Sequence, residues 1–184
     1  MSVNEKLLAY GNEAEEKVLE YMRSFGLDVT RRYVIPDDKK SIYENLRYGD
    51  LVLKMNDSGH VINFDVKRGL FISKKSLDSY KGAFYILIPK GDLDDIKNAR
   101  VVKRSTVCNY FLQVEEGRYH KTTNGTIGYR FTKLKNYMTL EKYVVNFVKT
   151  IVIMNNDYDE YGRFLRSFNK VLPRHAQELN DTSF

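Results

Sequence analysis

The run Ala83-Phe84-Tyr85-Ile86-Leu87-Ile88, closed by Pro89, constrains the fold more than any other part of this 184-residue chain. A continuous apolar segment of that length, without polar alternation, suits a strand buried on both faces, which needs further layers above and below it. Hydrophobic residues make up 42% of the chain, enough to supply those layers and to exclude wholesale disorder. The length fits one core with at most an appended subdomain.

The flanking segments alternate between helical and extended periodicity. Leu7, Ala14, Val18, Tyr21, Met22 and Phe25 fall on one face of a helix from Glu5 to Phe25, ended by Gly26. Leu27 to Val34 reads as a first strand before Pro36, and Asp37 to Ser41 as a polar loop. Two strands follow, Asp50 to Met55 and Val61 to Lys67, joined as a hairpin through Asn56-Asp57-Ser58-Gly59. Ser73 to Lys81 suits one or two helical turns. Val107 to Val114 and Ile127 to Leu134 have strand composition, with Asn124-Gly125 as the turn signal between them. Thr139 to Met154 and Asp157 to Leu172 have helical spacing, and Pro173 stops the second. The expected class is α/β, a mixed central β-sheet flanked by helices with an appended helical C-terminal region.

Within Val61 to Lys67, strand alternation sends Ile62, Phe64 and Val66 to one face and Asn63, Asp65 and Lys67 to the other. An acid and a base thus share a face with Cα atoms about 6.5 Å apart, so a carboxylate that holds a metal and an ammonium can reach the same reacting group. Asp50 stands at the start of the preceding strand, and hairpin pairing would let it converge on Asp65. Gly49, just before it, permits close approach of backbone or ligand. The first helix carries Glu13, Glu15, Glu16 and Glu20. At about 100° per residue, only Glu15 borders the apolar stripe, about 70° from its centre; the others lie more than about 100° away. Glu15 is therefore the acid of that helix able to lean toward the sheet.

A helix acid, a strand aspartate, and then Asp-x-Lys in order resemble the PD-(D/E)XK nuclease superfamily. Gly11-Asn12-Glu13-Ala14-Glu15, Gly49-Asp50 and Phe64-Asp65-Val66-Lys67 carry the likeness, over Glu5 to about Pro89. The helix opening, with a glycine four positions before the glutamate, is most similar to Holliday-junction resolvase-like members. Gly49 replaces the proline that gives the superfamily its name. The expected organisation is an α/β core over residues 1–135, restriction-endonuclease-like by the resemblance, with a helical extension over 136–184 packed on the same domain. The resemblance implies that Asp50, Asp65, the Val66 carbonyl and Glu15 hold one or two Mg²⁺ ions, with Mn²⁺ able to substitute, and that Lys67 helps position or deprotonate water. Hydrolysis of DNA would then leave 5′-phosphate and 3′-hydroxyl ends. A non-catalytic nucleic-acid-binding module on the same fold and an RNA endonuclease with the same site are the alternatives.

Thirty Lys and Arg against 24 Asp and Glu leave a formal charge of +6, compatible with a polyanionic partner. Arg68, directly after Lys67, and the pairs Arg31-Arg32 and Lys74-Lys75 are candidates to hold flanking phosphates of DNA. Tyr33, Tyr43, Tyr48 and Tyr80 are interspersed with them and are candidates to stack on unpaired bases. Cys108 is a lone cysteine, and His60, His120 and His175 lack zinc-ligand spacing. Together with the absence of a signal-peptide pattern and of a membrane-length apolar run, this reads as a soluble cytoplasmic protein in a reducing compartment. The apolar helix at Thr139 to Met154 is the candidate face for a homodimer.

Overall fold

The computed structural model describes residues 3–32, 38–55, 60–112, 120–122, 125–132 and 134–156. Helix α1 (Val3–Arg23) leads to strand β1 (Val29–Arg31), helix α2 (Lys39–Tyr48), and strands β2 (Leu51–Met55) and β3 (His60–Lys67). Strand β4 (Phe71–Ser73) and helix α3 (Lys74–Ser79) precede β5 (Phe84–Leu87). Then come β6 (Arg100–Lys103), α4 (Arg104–Leu112), β7 (His120–Lys121), β8 (Ile127–Arg130), β9 (Met138–Thr139) and α5 (Leu140–Asn156). Chain contacts divide the protein into two units at Tyr143 and Val144, within α5.

The main sheet has six strands in the order β1-β2-β3-β5-β6-β9. It is mixed, because β3 and β5 run parallel while every other neighbouring pair is antiparallel. A parallel pair needs a crossover, and β4 with α3 supplies it. Strand β4 also belongs to a second, three-stranded sheet of order β4-β8-β7.

Strand β5 lies inside, and all of its residues are buried, as its unbroken apolar run requires. On one face, Phe64 and Phe84 stack at 5.7 Å between ring centroids, with Tyr143 edge-on to both. The other face of β5 contributes Tyr85 and Leu87 to a cluster with Ile72, Leu77, Tyr80, Val102, Val107, Phe131 and Leu134. In that cluster the Tyr80 hydroxyl reaches the carbonyls of Phe84 at 2.6 Å and Asn63 at 2.9 Å, tying α3 to both parallel strands.

Several expected elements take a different form. Val107 to Val114 is not a strand: α4 occupies Arg104–Leu112, and residues 113–119 lie outside the described residues. Its β-branched and aromatic residues favour extension locally, but Val107 and Tyr110, three apart, both face the Tyr85 cluster, and that burial decides for the helix. The partner of β8 is instead β7, beside a turn at Gly125 with φ +81; β8 ends at Arg130 rather than Leu134. The loop expected at Asp37 to Ser41 opens α2: the Asp38 carboxylate caps it, accepting from Lys40 N at 3.0 Å and Ser41 N at 3.2 Å. The expected helix from Asp157 to Leu172 lies outside the described residues.

Gly49 links α2 to β2 with φ +82 and ψ −171, a region essentially reserved for glycine. A Cβ there would stand 2.7 Å from the Phe64 carbonyl carbon and 3.0 Å from Asp65 N. Proline, fixed near φ −65°, cannot take this place. Gly49→Ala is expected to destabilise the fold by about 2–4 kcal/mol, from the strained φ plus the clash with β3. Urea unfolding checks it; a loss below about 0.5 kcal/mol, the range of neutral surface changes, would contradict the argument.

Candidate active site

Strand β2 begins opposite Phe64, so β3 runs past its partner by three residues, Asp65, Val66 and Lys67. This overrun creates the site. Asp50, one residue before β2, is fixed by its own backbone: its N–H donates to Phe64 O at 2.8 Å and its carbonyl accepts from Arg32 N at 2.7 Å. Its carboxylate then takes the place of the missing strand and accepts the Val66 N–H at 2.7 Å. The Asn45 side chain, from α2, donates to its other oxygen at 3.3 Å. In an antiparallel edge the N–H and C=O of one residue face the same neighbour, so the Val66 carbonyl faces the Asp50 side.

Asp65 follows on β3, 6% exposed, and its two oxygens have different partners. One accepts from Lys67 Nζ at 2.5 Å, the other from Ser76 Oγ at 3.3 Å. Ser76 is placed by the Ser73 cap, whose hydroxyl accepts its N–H at 3.0 Å. Glu15 reaches the group from α1, with a side chain 16% exposed against 59% for Glu13. Its Oε2 is gripped by Arg31 at 2.6 Å through Nη2 and 2.7 Å through Nε.

The electrostatics record this crowding. Burial, then the charge of Asp65, push the Asp50 carboxyl well above the ordinary carboxylate range, against the pull of Lys67. Burial raises Glu15 too, opposed first by Arg31. For Lys67 burial pulls downward, but Asp65, Asp50 and Glu15 outweigh it and hold the ammonium above its ordinary value. Three carboxyls therefore share two cations, Lys67 and Arg31, and Asp50 bears the imbalance.

The structure thus brings Glu15, Asp50, Asp65, Val66 and Lys67 together. The basic candidates are placed less uniformly. Arg68 is held by Glu13 at 2.6 Å and by Gly91 O at 3.3 Å. Arg32 donates to Asn63 Oδ1 at 3.1 Å, on the β3 face that carries Asp65 and Lys67. Lys74 and Lys75 are exposed, one and two residues before Ser76. Asn45 and Ser76 escaped the sequence reading, although the Ser73-x-x-Ser76 spacing of an N-cap was available to find the second.

As a cation site, the group offers hard oxygen donors from Asp50 and Asp65 plus a carbonyl, the donor class of Mg²⁺ and Mn²⁺. Among the described residues no group of three or more His, Cys, Asp or Glu side chains could hold a metal ion, and Glu15 is engaged by Arg31. Two carboxylates still fit Mg²⁺, which is commonly bound through one or two of them plus water and substrate phosphate.

A group whose folded pKa is raised favours folding only while protonated, so the Asp50 contribution is present at low pH and lost as pH rises through its folded value. Asp50→Asn keeps an oxygen for Val66 N–H and removes the charge. Its melting temperature in chelator at pH 7.5 (about 3–4 units above the ordinary carboxyl range) is expected to exceed wild type by a few degrees, the gap closing toward pH 4. A variant less stable than wild type throughout would show that the carboxylate is not under this strain. The chain matches no known protein family and no curated protein, so the functional reading rests on the residues themselves.

Proposed function

We propose that this chain is a metal-dependent nuclease that hydrolyses DNA phosphodiester bonds, with a site of the PD-(D/E)XK kind. The single observation that carries the reading is the meeting of Asp50, Asp65 and Lys67 where β3 outruns β2, with Glu15 leaning in from α1. A fold gains nothing evident from enclosing three carboxyls together, and perturbed acids of this sort mark functional sites more often than structural ones.

Asp50, Asp65 and the Val66 carbonyl would hold Mg²⁺ or Mn²⁺, which when bound supplies positive charge and acidifies water. Lys67, kept protonated by its carboxylate neighbours, would orient the attacking water and meet negative charge building on the phosphate oxygens. Asp65 sets the direction of that ammonium through its 2.5 Å contact. Ser76 holds the other Asp65 oxygen, and Asn45 steadies Asp50. Lys74 and Lys75 are exposed at the surface and would meet flanking phosphates, whereas Arg31 and Arg68 would have to exchange part of their carboxylate contacts to do so.

A second reading, nucleic-acid binding without hydrolysis, is favoured by one observation: Lys67 and Arg31 already pair with Asp65 and Glu15, two of the carboxylates around the site. Substrate and metal measurements separate the two. With Mg²⁺ or Mn²⁺ and a panel of linear, flapped, single-stranded and four-way DNA, the wild type is expected to cleave at least one substrate. Lys67→Ala should lose about 10²- to 10³-fold in rate, and Asp65→Ala at least as much. Calorimetric titration with Mn²⁺ should give a binding heat that Asp50→Asn weakens. No cleavage of any substrate, or equal cleavage by Asp65→Ala, overturns the nuclease. Matched RNA strands in the same assay decide the sugar.

A further inference from the structure

Two helices touch the carboxylates, α2 through Asn45 and α3 through Ser76. The same helices, with Lys81 just after α3, border a groove of about 320 Å³ lined by Tyr43, Leu46, Arg47, Asp78, Ser79 and Lys81. Its size is at the lower end of small-molecule sites, which run from about 300 to 1,000 Å³. On α2, Leu46 and Arg47 follow Asn45 by one and two positions and Tyr43 precedes it by two, while on α3 Asp78 and Ser79 follow Ser76 by two and three, so less than one helical turn along each helix separates the groove from the residues that touch the acids.

The groove is joined to the site by a ladder of cations and rings. Asn63, on the β3 face of Asp65 and Lys67, accepts from Arg32. The Arg32 guanidinium lies 5.6 Å from the Tyr48 ring centroid, and Arg47 lies 5.4 Å from the same ring. Arg47 also lies 6.0 Å from the Tyr43 ring and donates to its hydroxyl at 3.3 Å. Tyr43, at the end of the ladder, is 59% exposed. A tyrosine oriented by an arginine but open to water offers a ring face to something flat.

We infer that the groove between α2 and α3 is a subsite for an unpaired DNA base beside the scissile bond, with Tyr43 as the surface on which the base stacks. The inference rests on the nuclease reading above and narrows its substrate to DNA with a single-stranded portion. Arg47 and Lys81 match the phosphates on either side of such a base, while Asp78 and Ser79 offer hydrogen-bond partners to its polar edge. A base within a duplex has both faces stacked already and cannot present one to Tyr43. The hydrophobic residues Ile42 and Leu46, 39% and 40% exposed on α2, extend the same apolar surface.

The test is fluorescence anisotropy of the full chain in chelator, where metal-dependent cutting is stopped, with labelled single-stranded DNA and its blunt duplex. Wild type should bind the single strand more tightly. Tyr43→Ala should weaken single-strand binding about 5- to 150-fold, the value of one base stack, and reduce the single-strand to duplex ratio. Tyr43→Phe, which keeps the ring, should restore most of it. Because Tyr43 is exposed, these variants should fold, and an unchanged melting temperature verifies this. Single-strand affinity indifferent to Tyr43→Ala, or a tighter Tyr43-dependent grip on RNA than on DNA, overturns the subsite as stated. Cleavage by wild type together with such indifference would leave the nuclease standing and remove the groove. Tyr43-dependent DNA binding by a chain that cuts no substrate would do the reverse.

Discussion

The hydrogen bond from the Val66 N–H to the Asp50 carboxylate is the contact on which the site depends. A strand that outruns its neighbour leaves backbone groups without a ladder partner, and leaving such a group buried costs about as much as losing a hydrogen bond. Here a side chain replaces the absent strand. The substitution works only because Gly49 lets α2 end against the β3 backbone, so that Asp50 arrives at the right height. The same backbone requirement that needs glycine thus delivers a carboxylate to the carboxyl end of a parallel strand. The ends of strands in open α/β sheets are where ligands commonly bind.

That delivery has an energetic consequence. Asp50 and Asp65 are both nearly enclosed, and two cations do not balance three acids. The buried carboxyl resists ionisation, which is unfavourable for the fold near neutral pH and useful to a site that takes a cation. Surrounding structure absorbs the strain. The stacked Phe64 and Phe84 lie on one side of the parallel pair, and the Tyr80 hydroxyl clamps its other side. Asp65 and Lys67 are therefore mounted on a strand packed on both sides, with Asp50 one residue before β2 and Glu15 on α1. No helix among the described residues is long and apolar enough to cross a membrane.

Legibility from sequence followed burial. The Ala83 to Ile88 run announced β5, alternation announced β3 and the face of Asp65 and Lys67, and helical phase selected Glu15 over Glu13, Glu16 and Glu20. Each signal comes from an element with an apolar side. Helix α2 has no buried residue, so its only sequence mark is the Asp38 cap, and its contribution to the site through Asn45 was invisible. Strands β4, β6 and β9 are three, four and two residues long, defined by their partners more than by their own composition. In α4 the local preference for extension was overruled by the placement of Val107 and Tyr110 against Tyr85. The arginines were identifiable as cations, but their partners lie 16 and 55 residues away and follow only from the assembled sheet.

Those two pairings also show what α1 contributes. Glu13 and Glu15 are two apart, so about 200° of helical rotation separates their directions. One holds Arg68 at the far end of β3 and the other holds Arg31 on the edge strand β1. A helix lying against β1 and β3 thus orients an arginine on each flank of the carboxylate pair. An arginine held by one carboxylate has already lost much of its rotational freedom, so exchanging part of that contact for a phosphate costs less ordering than a mobile side chain would. On the proposed reading, a phosphate arriving between the flanks meets cations already aimed by the helix, at lower entropic cost than free side chains would impose. Glu13, exposed and far from the apolar stripe, is consequently tied to the site through Arg68 although helical phase alone assigns it to solvent.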